Sequence, residues 1–405
     1  MARKSVFQSI AGLLGAQKRE ASAAPAVPHA VARGPLDFGV RVNNDSALKV
    51  TAFYAGIRII SENIAALPKD VRRYTERGPV SDRSGNVYRL INGNPNAYTN
   101  AFSFWSVIST WVKGWGNAYA IIERDGSGNP IALHQVHPAG VRVILTGGRK
   151  WYGVTMQNPD LMYLNGVYPD EDILHFMELT LDGLKGVNPV IYNAAALGKS
   201  IATEAFAADF YRKGGNIRGV MEYEGAMGDD AYEKFSRHFA QSSDNYGTPL
   251  LEYGIKYKQL SIDPVAAQLV QSETLSIQDV CRIINIPPHM VADLSRATFS
   301  NIEHQTIQFV QYSLRPLVKR FETELESKLF VGRESGTRDV KFILDGLLRG
   351  DTQARSQFYH NAILDGYMSR NEVRELEGYE HKEGLDEFLY PQNEGVVGQE
   401  GKANE

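Results

Sequence analysis

The chain has 405 residues, 43% hydrophobic and 22% charged, enough apolar material for two or three domains or one elaborated one. A formal net charge of −4 excludes a generic nucleic-acid binder that works through a basic surface. The one cysteine, Cys281, excludes an intramolecular disulfide framework and fits a reducing compartment, and no apolar run reaches the ~18 residues of a membrane span.

Residues 1–43 read as an arm. Val6 to Ala16 follows Arg3 and Lys4 as in a signal peptide, but Gln8 and Ser9 interrupt it and Gln17-Lys18-Arg19-Glu20 stands where cleavage would fall. Phe7, Ile10, Leu13 and Leu14 at helical spacing give a short amphipathic segment instead, and the Ala- and Pro-rich stretch after it builds no core. Order is expected from Asn44. Val50, Phe53, Ile57, Ile60, Ile64 and Leu67 mark an amphipathic helix that Pro68 stops. Val71 to Tyr74 reads as a strand, 76–86 as a polar loop, and Phe102 to Trp115 as an aromatic-rich helix.

A β-rich block follows, expected to form one antiparallel unit. Asn117–Arg124 and Ile131–Gln135 flank the turn Asp125-Gly126-Ser127-Gly128-Asn129-Pro130. Val141–Leu145 and Trp151–Met156 flank Gly147-Gly148, Met162–Leu164 and Val167-Tyr168 flank Asn165-Gly166, and Ile173–Phe176 closes the block. Asn188-Pro189 then opens a helix that runs to Lys213 and stops at Gly214-Gly215. Residues 219–224, 229–240 and 249–260 make a small β-α-β insert, followed by a second long helix opened by Asp263-Pro264.

Pro287-Pro288 ends that helix, and a polar loop runs to Phe299. Ser300 and Glu303 form a capping box for a further helix whose apolar positions run from Ile302 to Leu329. At 1.5 Å per residue it spans roughly 45 Å, and Pro316 inside it is expected to kink it. A strand at 340–344, helices at 351–365 and 371–376, and a polar Gly-rich tail complete the chain.

No pattern here specifies a cofactor, a metal or a catalytic centre. Gly198-Lys199-Ser200 lacks the earlier glycine of a phosphate-binding loop, Asn193 standing in its place, and sits in an Ala-rich helix. Asp37-Phe38-Gly39 has no accompanying kinase motif. Cys281 falls on a helix stripe as a small core residue, His134 and His137 have no third ligand, His175 reads as a structural strand residue, and Glu171-Asp172 as solvated charge.

In their order and spacing, several segments resemble the portal proteins of tailed bacteriophages of the HK97-like class. They are Ile64-Ala65-Ala66-Leu67-Pro68, Gly116-Asn117-Ala118-Tyr119, Ile173-Leu174-His175-Phe176, Gly183-Leu184-Lys185-Gly186-Val187-Asn188-Pro189, Ile286-Pro287-Pro288, Ser300-Asn301-Ile302-Glu303, Leu314-Arg315-Pro316 and Asn371-Glu372-Val373-Arg374. The likeness runs from about Ala47 to Tyr379. One departure is Ile286 and His289-Met290 around the proline pair, where many relatives have a valine before it and a glycine soon after.

The resemblance implies an α+β portal-type fold: an α/β wing, two stem helices, a small β-α-β clip insert, a long kinked helix and a short helical crown. Carried onto this chain, 1–43 is the arm, 44–188 and 301–349 the wing, and 189–218 and 263–286 the stem helices. The clip is 219–262, the tunnel loop 287–300, the crown 350–390 and the tail 391–405. It further implies a homo-oligomeric ring, commonly of twelve subunits, at one capsid vertex, with double-stranded DNA passing non-specifically through its centre. The implied protein partners are the terminase large subunit, the major capsid protein and a head-tail connector protein. The location is the virion, with the host cytoplasm during assembly, and no membrane.

In the tunnel loop, Arg296 is expected to meet backbone phosphates beside Asp293, Ser295 and Thr298, while Val291, Leu294 and Phe299 pack between loops. Pro287, Pro288 and Ser300 are the expected hinges. Two alternatives stay open at this point: another phage structural subunit without a channel, and a monomeric hydrolase using Asp172, His175 and Asp182.

Overall fold

The computed structural model describes residues 40–212, 219–222, 225, 228–244, 256–259, 275–292, 305–344, 347 and 352–389. The chain divides after Phe342 into two compact units.

A one-turn helix α1 (Asn44–Ala47) is capped by Asn43 and leads into α2 (Thr51–Ala66). Phe53, Ile57, Ile60 and Ile64 recur at helical spacing on α2 and are buried. The helix stops before Pro68, and Lys69 Nζ turns back to donate to the carbonyls of Ala65 and Leu67 at 3.0 and 2.7 Å. Burial lowers the Lys69 ammonium to about 8. Its charge is met by those carbonyls and by the rings of Trp105 and Phe342, 5.8 and 5.4 Å away.

β1 (Lys69–Thr75) pairs with β2 (Gly78–Ser81), so the expected polar loop at 76–86 in fact contains a strand. A short helix α3 (Asn86–Asn92) follows, buried through Val87, Leu90 and Ile91. Next, α4 (Ala101–Trp115) is capped by Asn100 and ends at Gly116, whose φ is 75°. Trp105 of α4 is the centre of the core. It touches Phe104, Phe176, Phe321 and Phe342 with ring centroids 5.1–6.1 Å apart, and its Nε1 donates to the Ile91 carbonyl.

The β-rich block is two three-stranded sheets, not one unit. β3 (Asn117–Arg124) lies between β4 (Pro130–Val136) and β8 (Ile173–Met177). β6 (Arg149–Val154) lies between β5 (Val141–Thr146) and β7 (Gly166–Pro169). The expected turn at Asn165-Gly166 is also corrected. Residues Pro159–Leu164 form a 3-10 helix capped by Asn158, so the apolar Met162-Tyr163-Leu164 is not a strand. Asn165 instead accepts the Met156 N–H on its side chain. The two sheets share a core of Tyr119, Ile121, Tyr152, Val154 and Ile173.

After Asn188 the helix comes in two pieces, α5 (Pro189–Tyr192) and α6 (Ala194–Arg212), because Asn193 leaves helical geometry at φ −107°, ψ 28°. β9 (Gly219–Glu222), α7 (Asp229–Asp244) and β10 (Lys256–Gln259) follow, with β9 and β10 antiparallel. Helix α8 is described over 275–284. Ser276 of α8 donates to Ser200 of α6 at 2.6 Å, so these two helices touch through a buried hydroxyl pair.

The long helix resumes at 305, passes through a π-helical turn at Phe309–Leu314 and continues as α9 (Arg315–Leu329). It is followed by β11 (Arg338–Phe342), which pairs with β1. β8 and β11 are edge strands of different sheets, and α9 covers both. On one side, Glu322 accepts the Phe342 N–H at 3.0 Å. On the other, Glu324 accepts the His175 N–H at 2.8 Å and Lys328 donates to the Ile173 carbonyl at 2.7 Å. Residues two apart on a helix are about 200° apart around its axis, which is why Glu322 and Glu324 reach opposite sheets. One edge group of β11 and two of β8, which could otherwise recruit another strand, are thus taken up by one helix.

The second unit contains α10 (Thr352–Leu364) and α11 (Arg370–Leu376). Ser369 and Glu372 form a capping box at the start of α11. Asn371 then ties the segment together by donating to the Lys382 carbonyl and Asp386 at 2.7 and 2.9 Å.

Candidate functional site

The proline break after α8 is a built turn. Asn285 takes left-handed geometry at φ 58°, the Ile286 N–H donates to the Cys281 carbonyl at 3.0 Å, and the Asn285 N–H donates to the Arg282 carbonyl at 3.3 Å. These two bonds make a Schellman end, with asparagine in the position usually held by glycine. Pro287 follows, then a 3-10 turn at Pro288–Val291 that closes at Ala292, also left-handed at φ 67°. The turn is seated on α2. Gly56 leaves room for Ile284, whose Cδ1 would lie 2.0 Å from a Cβ placed there.

Asn285 also supports the facing helix. Pro316 has no N–H to give to the carbonyl four residues earlier, that of Tyr312. Asn285 Nδ2 donates to this carbonyl at 2.9 Å. The π turn lies directly before Pro316, with Arg315 N–H donating to the Val310 carbonyl. A cleft of about 510 Å³ opens between the proline turn and this π segment, lined by Arg282, Asn285, Pro288, His289, Phe309 and Tyr312.

Of the expected loop residues, Pro287, Pro288 and Val291 lie in this turn and are partly buried. Asp293, Leu294, Ser295, Arg296, Thr298, Phe299, Ser300 and Glu303 lie outside the described residues, as do the segment 263–274, the arm up to residue 39 and the tail from 390. Pro316 is exposed at the start of α9. The π turn and Asn285 were not signalled by hydrophobic spacing. The signal that was available is Pro316 itself, which leaves a carbonyl needing a donor.

The residues of the hydrolase alternative are not assembled into a centre. His175 is buried; its Nε2 lies 3.0 Å from Asn117 Oδ1 and its Nδ1 lies 3.0 Å from the Tyr152 hydroxyl. Asn117 Nδ2 donates to the Gly186 carbonyl, which fixes Oδ1 as the acceptor and places the imidazole proton on Nε2. Nδ1 is then left facing the Tyr152 hydroxyl, whose single proton is shared with Asp170 Oδ1 at 3.1 Å. Burial, then the charges of Lys150, Lys328 and Lys185, holds the His175 pKa well below the usual imidazole range. Asp172 is paired with Arg124 at 3.0 Å and so is not plain solvated charge. Asp182 accepts the N–H groups of Leu184 and Lys185, and those bonds hold its carboxyl below the usual range.

His134 bonds Tyr98 and Glu123, whereas His137 stands against Trp111 and Trp115. Cys281 is buried. Among the described residues there is no group of three metal-ligating side chains, and no helix is long and apolar enough to cross a membrane.

Comparison with known proteins matches this architecture along most of its length. The portal protein of Enterobacteria phage HK97 is 26% identical over 344 residues, covering 82% of this chain and 79% of that protein. The probable portal protein of Streptomyces phage phiC31 is 28% identical over 381 residues, covering 89% and 82%. Among solved structures, an HK97-family phage portal protein from Corynebacterium diphtheriae superposes with a TM-score of 0.56 at 13% identity, covering 76% of this chain and 98% of that one. A chain from the neck of a native gene transfer agent particle, computed with C12 symmetry, superposes with a TM-score of 0.57 at 20% identity, covering 85% and 96%. The family model described as phage portal protein matches residues 51–378, so an α+β chain with no assembled catalytic centre among its described residues, and a built proline turn between two long helices, belongs to the phage portal protein family.

Proposed function

We propose that this chain forms a closed ring at one vertex of a phage capsid and that double-stranded DNA enters and leaves through the ring's centre. The observation that carries this reading is family membership across residues 51–378. The architecture supports it, because the β9-α7-β10 insert is strung between α6 and α8. In this reading α6 and α8 are stem helices and the insert is the clip, where the terminase large subunit and later the head-tail connector dock. Residues 44–188 and 301–349 form the wing, facing the major capsid protein, and 350–390 the crown. Twelve copies make the ring, which is assembled in the host cytoplasm and carried in the virion.

The segment 287–300 is the tunnel loop, hinged at Pro287, Pro288 and Ser300 and braced by the helix that Pro316 bends. Cyclic symmetry repeats every lining residue once per subunit. One basic residue per loop, Arg296, then gives a guiding ring of positive charge in a mildly acidic chain, with Asp293, Ser295 and Thr298 alongside. Val291, Leu294 and Phe299 pack neighbouring loops together.

Negative-stain microscopy of the purified protein tests the reading: rings with a central hole are expected, and monomers or assemblies without a hole overturn it. Arg296→Glu is expected to leave ring assembly intact and to change DNA packaging or retention. Rings that fail to form in that variant make the residue structural.

A further inference from the structure

The loop between β8 and α5, residues 178–187, is held far more firmly than a connector requires. The Val187 N–H donates to the Leu179 carbonyl at 2.7 Å and the Glu178 N–H to the Gly116 carbonyl at 2.9 Å. Asp182 accepts from Leu184, Lys185 and the Thr180 hydroxyl within the loop, and Asn117 clamps Gly186 through both its N–H and its carbonyl. Yet the loop's Leu179 and Leu181 are 62% and 61% exposed. Ile191 and Tyr192, on the helix the loop leads into, are 49% and 62% exposed. A preorganised apolar surface of this kind loses little entropy when it is covered.

The point where the undescribed N-terminal chain joins the fold lies beside this surface. The description begins at Val40, and Asn44 Oδ1 accepts from Asn188 Nδ2 at 3.1 Å. Asn188 is the cap of α5, accepting the N–H groups of Val190 and Ile191. Upstream, the arm carries one apolar stripe, Phe7, Ile10, Leu13 and Leu14, which the portal reading does not use. Residues 17–39 tether it. The 23 residues 17–39 can span up to about 75 Å at about 3.3 Å each, so chain length does not limit the stripe's reach to the surface.

We propose that the apolar stripe at residues 7–14 docks on the surface made by Leu179, Leu181, Ile191 and Tyr192 of its own chain, strapping the arm over the junction of β8 and α5. The docking is independent of ring formation.

Leu13→Cys and Leu181→Cys together in the full-length chain test it by oxidation at low protein concentration, the buried Cys281 being out of reach. An intrachain disulfide is expected at least tenfold faster than in a control pairing Leu13→Cys with Val80→Cys, an exposed site on β2. Hydrogen exchange is the second measurement. Amides of 178–192 are expected to exchange about tenfold faster in Phe7→Asp/Leu14→Asp, whose changes lie outside the described fold. Equal oxidation rates, disulfides formed only between chains, or protection of 178–192 that survives the double substitution each overturn the proposal. The last result would assign the surface to another partner.

Discussion

Glu322 offers the sharpest test of how α9 holds the first sheet. Its side chain is 7% exposed; Oε1 accepts the Phe342 N–H at 3.0 Å and Oε2 faces Lys341 Nζ at 3.0 Å. Glu322→Ala leaves a buried backbone N–H unpaired, which costs about 1–3 kcal/mol. The lost contact with Lys341, itself 30% exposed, adds less than about 1 kcal/mol. Removing the buried side-chain methylene adds about 0.8 kcal/mol. The expected loss is therefore about 3 kcal/mol. Glu322→Gln keeps the stem and an acceptor for Phe342 and gives up only the charge, so its loss is about 1 kcal/mol.

Urea unfolding followed by tryptophan fluorescence measures both, since Trp105 packs against Phe342 in the same core. Exchange of the Phe342 amide gives the local readout, with protection kept in the glutamine variant and lost in the alanine variant. Equal losses in the two variants, or a protected Phe342 amide in Glu322→Ala, would refute the argument that the hydrogen bond to the edge strand dominates.

Asn285→Gly keeps the left-handed turn and loses only the bond to the Tyr312 carbonyl, a cost of about 1 kcal/mol. Asn285→Ala adds about 1–2 kcal/mol for left-handed geometry, so alanine must be the worse of the two in a denaturation series. Gly186→Ala brings a Cβ within 2.0 Å of the Gly116 carbonyl and is expected to cost about 1–3 kcal/mol, whereas Gly126→Ala, with nothing within 4 Å, is expected to be neutral. His175 stays neutral in the fold while the unfolded imidazole takes a proton near its ordinary value of 6.5. The unfolded state thus binds more protons below that pH, and stability that is complete above it falls by about 1.4 kcal/mol per unit on acidification. Unfolding measured at successive pH values below neutrality should show this slope, and His175→Gln should lack it.

Much of the fold was legible because its signals are local. The apolar stripe of α2, the Gly-rich hairpin between β3 and β4, and the proline pair after α8 each carry their own punctuation. β2 escaped because Gly78 and Pro79 look like loop residues and its side chains are largely exposed, so no alternation betrays it. α3 was readable in hindsight, with Val87, Leu90 and Ile91 at helical spacing, but it is barely two turns long. The division of the β block into two sheets was not readable, because β8 chooses β3 as its partner across a long sequence separation. At the site, the proline break was visible whereas its support was not. Asn285 and the π turn answer to a carbonyl that Pro316 leaves unpaired, and that relation exists only once the two helices face each other.

The two-sided attachment of α9 has a torsional consequence. A rotation of the helix about its own axis carries both Glu322 and Glu324 off their partners, so its azimuth is pinned. A π turn inserts about one residue, hence about 100° of rotation, into the helix upstream. The direction in which residues 305–308 point is therefore set by a downstream clamp and an upstream offset, not by their own side chains. Deleting a single residue between Phe309 and Leu314 would turn that end of the rod by about a quarter of a revolution while leaving both sheets where they are.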